Sequence, residues 1–251
     1  MASTNLIFGT ILFVFLLIIM IITIVLVVSR MYSSQRVGTT LVNEPVKMKD
    51  DMTTCSGKLL MSGNEHTYTF WMFVEQWEMG GLNKRIFVRS HRLNTLLNVD
   101  LDAHQPDMVL SLLRGGNIVP YPNDSDQQAV FKLNDVRIQG WNHITISIYD
   151  KTLDVYLNGK LAKSFIMPIN LQSTESNGIV IGGSSEDNIP TYNGFLSRFI
   201  YFPRVLSPKE IYNLYLRGPA EPKYLSANPN ESMGSEIIFG GSNRPNCQVA
   251  N

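Results

Sequence analysis

The longest unbroken apolar stretch of the chain lies near its start, where Leu6 to Val28 reads LIFGTILFVFLLIIMIITIVLVV and softens only at Gly9, Thr10 and Thr23. At 1.5 Å of rise per residue, about 23 such residues cross a hydrocarbon layer of about 30 Å. The pattern therefore predicts a transmembrane helix over 6–28 behind a short tail, 1–5. A cleaved signal peptide fits less well, because the leader MASTN has no basic residue and the run exceeds the roughly 7 to 15 apolar residues of such segments. A helix buried in a soluble core is the weaker alternative, since no face of the run is polar.

After the run the chain turns polar and loses its period, with Ser33, Ser34, Gly38, Thr39, Thr40, Pro45 and Lys47-Met48-Lys49-Asp50-Asp51, so a stalk is expected over 29–54. From there on the pattern is of short strands parted by turn residues. Strands are predicted at Lys58 to Met61, Tyr68 to Val74, Arg85 to Arg89 with Ile86 and Val88 on one face, Met108 to Leu113 and Ala129 to Leu133. The clearest alternation is in WNHITISIYD, with Ile144, Ile146 and Ile148 on one face and Thr145 and Ser147 on the other. Asp150-Lys151-Thr152 turns it into LDVYL, and Asn158-Gly159, a dipeptide that tolerates positive φ at both positions, turns it again into Lys160 to Phe165. That predicts an antiparallel meander of three strands. Gly178 to Ile181 and Phe195 to Phe202 add two more.

One helix is marked by its ends. Ser207 suits the N-cap, Pro208 the first helical position, and Glu210 closes a capping box, while Gly218 and Pro219 stop the helix after Leu216. The remaining stretch, 219–251, is rich in Pro, Asn, Ser and Gly around one apolar island, Ile237-Ile238-Phe239. It is expected as an extended tail that orders against a partner.

Charge adds a constraint by its balance: 21 basic residues face 21 acidic ones, which gives no broad attraction to nucleic acid. Around the apolar run, Arg30, Arg36 and Lys47 follow the helix and no basic residue precedes it, so the positive-inside rule puts the bulk of this single-pass chain on the cytosolic side. Cys55 and Cys247 stand near the two ends of the presumed domain. In an oxidising compartment they would close a loop of about 190 residues worth up to ~5 kcal/mol. In the cytosol they would stay thiols, and both readings stand.

From Trp141 onward the chain resembles the laminin G-like branch of the concanavalin A-like lectin and glucanase superfamily. The resemblance is carried by Trp141-Asn142-His143-Ile144, Val155-Tyr156-Leu157-Asn158-Gly159-Lys160, Ile179-Val180-Ile181-Gly182-Gly183, Tyr192-Asn193-Gly194-Phe195-Leu196 and Leu206-Ser207-Pro208-Lys209-Glu210-Ile211, with Tyr68-Thr69-Phe70-Trp71-Met72 upstream. It implies an all-β fold, a jelly-roll sandwich of two antiparallel sheets over 55–218. Many such modules bind calcium at a sheet edge, which makes Asp124, Asp126 and Asp187 the candidate ligands, although turns use the same residue types. A sugar site would use exposed aromatics beside polar loops, and Tyr121 and Tyr192 are the candidates. Trp71 and Trp141 are expected in the packing.

The glucanases of this superfamily need two carboxylates about 5 Å apart, and their Glu-x-Asp-x-x-Glu pattern is absent. Glu75 and Glu78 approach it, but their spacing on a strand puts them on opposite faces. His66, His91, His104 and His143 show no metal-ligand spacing, and no nucleophile elbow or phosphate loop is present. The expectation is a non-enzymatic module without an obligatory cofactor, tethered to a bilayer through Leu6 to Val28 and docking a protein partner in a larger assembly. One such setting is a minor structural protein beside the capsid of a membrane-containing virion. The alternative is a lectin-like surface receptor that binds glycan.

Overall fold

A computed structural model describes residues 12–26, 38–48, 54–55, 63–91, 95–172, 178–185, 188–220 and 248–249. The chain divides into two compact units, Met1–Val37 and Gly38–Asn251. In the first, residues 12–26 form helix α1, and each of them is exposed on the helix surface. Among the described residues no helix is long and apolar enough to cross a membrane. The flanking parts of the expected span, 6–11 and 27–28, lie outside the described residues.

The second unit is built from β1 (Thr39–Val42), β2 (Val46–Lys47), β3 (Thr54–Cys55), β4 (Glu65–Gln76), β5 (Lys84–His91), β6 (Thr95–Leu101), β7 (Met108–Arg114), β8 (Asn117–Ile118), β9 (Pro120–Tyr121), β10 (Asp124–Gln128), β11 (Val130–Leu133), β12 (Trp141–Tyr149), β13 (Thr152–Leu157), β14 (Lys160–Ile166), β15 (Ile179–Ile181), β16 (Asn193–Phe202), helix α2 (Pro208–Leu216) and β17 (Gln248–Val249). One sheet runs β14-β13-β12-β4-β16-β1-β17, with β2 also on β16. The other runs β11-β7-β6-β5-β15-β3, with β8 also on β7, and β9 and β10 form a separate hairpin. This is the jelly-roll sandwich that the family resemblance implies. Its sheets meet through rings: Phe87 of β5 lies 5.2 Å from Tyr68 and 5.9 Å from Phe70 of β4, and 5.0 Å from Phe199 of β16.

Three expectations need correction. Within the presumed stalk, residues 38–48 belong to the sandwich, where Leu41, Val42 and Met48 are buried. Two short strands with polar neighbours are invisible to periodicity until β16 offers them a partner. The strand β6 goes unpredicted because Leu96 beside Leu97 blurs the alternation, yet Leu97, Val99 and Leu101 are all buried. In β5 a bulge between Arg85 and Phe87 shifts the register, so that Phe87 joins the ring cluster and Arg89, fully buried, stacks its guanidinium 4.7 Å over Tyr201. Val88 is not the core residue that strict alternation implies.

The predicted meander is present, and Asn158 and Gly159 take φ of 51° and 77° at its second turn. Its expected solvent face is covered, however: Thr145 and Ser147 are buried. The segment after β16 lies over that face. Thr67 donates to the Arg204 carbonyl at 2.9 Å and accepts from the Leu206 amide at 3.2 Å, while Ile211 and Leu206 pack on Tyr156. The capping box forms as expected, with Arg204 donating to Glu210 at 2.7 Å. That guanidinium is the main reason the Glu210 carboxyl is held down at about 2.

At Gly194 in β16 an added Cβ would stand 1.9 Å from the Phe73 carbonyl oxygen and 2.8 Å from the Tyr192 ring. Gly194→Ala should therefore part β16 from β4 and destabilise the fold by about 3 kcal/mol, a cost typical of overpacking. Urea melts measure it, and a loss under about 0.5 kcal/mol, the range of neutral surface changes, would contradict the close approach.

Candidate functional site

The rim cavity of the sandwich forms where two crossings meet. The chain leaves β4 at Gln76, loops through Trp77-Glu78-Met79-Gly80-Gly81-Leu82-Asn83 and re-enters the other sheet at Lys84. Facing it, Thr191, Tyr192 and Asn193 lead into β16. Two bonds lock the crossings together: Arg85 donates its amide to the Pro190 carbonyl at 2.8 Å, and the Thr191 hydroxyl donates to the Arg85 carbonyl at 3.0 Å. Met48, whose amide donates to the Gly194 carbonyl at 2.9 Å, closes the floor.

The cavity encloses about 330 Å³ and is lined by Met48, Gln76, Glu78, Lys84, Thr191, Tyr192 and Asn193. That volume is at the lower end of small-ligand sites. The lining mixes amides, a hydroxyl, a carboxylate and an ammonium, with Met48 and the Tyr192 ring as apolar wall. The Asn193 amide donates to the Gln76 side-chain oxygen at 3.4 Å. Lys84 is 8% exposed, its Nζ has no hydrogen-bond partner, and it lies 4.5 Å over the Trp77 ring.

Of the two aromatic candidates, Tyr192 is on this cavity, but as a buried wall. It is 1% exposed and its hydroxyl donates to the Phe195 carbonyl at 2.9 Å, with burial holding its phenol well above the ordinary range. Tyr121 is not part of the same site. Its hydroxyl donates to the Ile166 carbonyl of β14 at 2.7 Å, and β14 is separated from β16 by β13, β12 and β4, about 19 Å at the usual strand spacing.

Asp124 and Asp126 sit on the β9–β10 hairpin, where the Asp124 carboxylate accepts the Asp126 amide at 3.2 Å, a turn bond. Among the described residues no group of three His, Cys, Asp or Glu side chains is placed to hold a metal ion. Asp187 and Cys247 lie outside the described residues, so the third calcium candidate and the Cys55–Cys247 pairing do too. Glu75 pairs with Lys47 at 3.0 Å on the sheet, whereas Glu78 is on the cavity, so the described lining holds one carboxylate. Lys84, Gln76, Thr191 and Asn193 escaped the sequence reading. Their one sequence signal is a Gly-Gly pair beside Trp77 between two strands.

His143 belongs to the packing. Its Nε2 is 2.9 Å from the Thr69 hydroxyl, and its ring lies 5.0 Å from Trp71 and 6.0 Å from Tyr215.

The class these features define is a jelly-roll domain with a polar rim pocket. Residues 48–212 match the laminin G-type family of the concanavalin A-like lectin/glucanases superfamily, and the chain belongs to it. Among solved structures, the botulinum neurotoxin serotype G binding domain is similar at 15% identity with a TM-score of 0.50, over 72% of this chain and 46% of that one. Domain 4 of AbnA, an extracellular arabinanase from Geobacillus stearothermophilus, in complex with arabinotriose, is similar at 15% identity and a TM-score of 0.47, over 71% of this chain and 87% of that one. A pentraxin from Limulus polyphemus is similar at 11% identity and a TM-score of 0.43, over 72% and 82%. The chain thus spans about half the length of the neurotoxin binding domain, and likeness at these identities is likeness of fold. Among curated proteins, none matches the chain in sequence.

Two buried groups set opposite pH responses. Burial holds His143 down at about 4, and burial pushes the Asp100 carboxyl up to about 6 against the pull of Arg85, 3.7 Å away. As pH falls from 6.5 toward 4, the unfolded chain takes up a proton at His143 that the fold refuses, so stability falls. From pH 6 toward 4 the fold takes up a proton at Asp100 that the unfolded chain does not, so stability rises. Each effect is about 3 kcal/mol, and they nearly cancel. Asp100→Asn should unmask the acid loss in urea melts, and His143→Gln should leave the opposite slope. Identical slopes in the two variants would contradict this assignment.

Proposed function

We propose that the chain is a non-catalytic binding module held at a lipid bilayer by its apolar run 6–28, with the sandwich docking a neighbouring macromolecule. The observation that carries this reading is α1, where Leu12 to Leu26 present Leu, Ile, Val, Phe and Met side chains 41–66% exposed on every face. A surface of that kind is stable against lipid and not against water. Flotation with liposomes tests the tether. The full chain should float and resist alkaline extraction, and a Leu16→Arg, Ile19→Arg variant should lose both properties. A parent chain that stays in the soluble fraction would refute the tether.

A second reading concerns the ligand and is favoured by the rim cavity, whose amides, hydroxyl and carboxylate suit the alternating donors and acceptors of a saccharide. Gln76→Ala with Asn193→Ala should weaken glycan binding roughly ten-fold or more, the worth of one or two hydrogen bonds to a ligand. Tyr121→Phe, far from the cavity, should leave it unchanged. Loss at Tyr121 with tolerance at Gln76 and Asn193 in a glycan array would move the site elsewhere.

A further inference from the structure

We infer that the saccharide taken by the rim cavity carries one carboxylate, which pairs with Lys84; this rests on the glycan reading of the same cavity. The argument begins with an ammonium that the fold leaves without a partner. Lys84 is 8% exposed, its Nζ is buried without a hydrogen bond, and its one compensating contact is the Trp77 ring at 4.5 Å. A ring face offsets part of the cost of removing a cation from water, and a carboxylate offsets far more.

Three cations nearby have their anions within the fold, while Arg89 of the same strand has only the Tyr201 ring and is walled into the core. Lys47 pairs with Glu75 at 3.0 Å, Arg85 with Asp100 at 3.7 Å, and Lys132 with Asp102 at 2.8 Å. Lys84 differs from them in lining the rim cavity. The loop over its ammonium is bare at Gly80, where an added Cβ would stand 3.9 Å from Nζ, so no side chain of that residue blocks the approach.

Glu78 sets the limit on the ligand's charge. It lines the same cavity, is exposed, and makes no ion pair with Lys84. Its carboxylate disfavours a polyanion such as a densely sulfated chain, while one carboxylate on Lys84 leaves Glu78 free to accept sugar hydroxyls. Gln76, Asn193 and Thr191 supply the remaining polar contacts. A uronic acid or a sugar acid of similar size is the class that meets all these conditions.

The test uses the full chain in detergent and a panel of uronic-acid-terminated oligosaccharides with their neutral, sugar-matched counterparts, read by calorimetry. The parent should bind an acidic member roughly ten-fold or more tighter than its neutral match, as a charge-assisted bond requires. Lys84→Met, which removes the charge and keeps an unbranched side chain of similar length, should abolish that preference. Glu78→Gln, on an exposed side chain that the fold does not need, should widen it. Equal binding of acidic and neutral members, or a preference that survives Lys84→Met, overturns the inference and leaves the glycan reading standing. Binding of neither member overturns both.

Discussion

The pairing of β4 with β16 at Gly194 is the constraint on which the rim depends. There the backbone of β16 comes so near the Phe73 carbonyl that no side chain fits between them. The missing side chain lets Tyr192 fold back until its hydroxyl meets the Phe195 carbonyl, and a buried Tyr192 forms the cavity wall. From the same glycine carbonyl a bond reaches the Met48 amide, so the segment that follows β2 is held under the floor. One small residue thus sets the distance between two strands, the rotamer space of a tyrosine and the wall of the rim cavity.

A second theme is polar chemistry kept in apolar places. Arg89 is fully buried against Tyr201, Lys84 nearly so against Trp77, and His143 lies beside Trp71. Arg89 sits on the inner face of the sandwich, where its guanidinium fills space among rings. His143 sits on the opposite side of the eight-stranded sheet, under the segment that ends in α2, where Thr69 satisfies one of its nitrogens. Lys84 lines the rim cavity, and neither Arg89 nor His143 is part of that lining. The same desolvation cost is met by packing at the first two positions, and at the third it is the basis of the proposed ligand contact.

The two units join opposite solvent preferences in one chain. The sandwich hides its large side chains in one aromatic and aliphatic core, while the side chains of α1 are apolar and outward on all sides. That contrast in side-chain exposure is what the proposed tether draws on.

The local signals in the chain were strong enough to specify much of the architecture. Alternation in β12, the Asn158-Gly159 turn, the capping box at Ser207 and the family motifs from Trp141 onward each act over a few residues, and each is present in the fold. What depended on distant partners was not legible. β1 and β2 become strands because β16 lies beside them, and the polar face of β12 is buried because a segment more than fifty residues later covers it. The bulge in β5, which turns Arg89 inward, has no signature in the residues around it. The rim cavity is the extreme case: Lys84 and Asn193 are more than a hundred positions apart, and only the closing of two sheets sets them around one space. Periodicity records which way a side chain points along its own strand; which groups face each other across a gap is decided by the packing of strands whose order the sequence does not spell out.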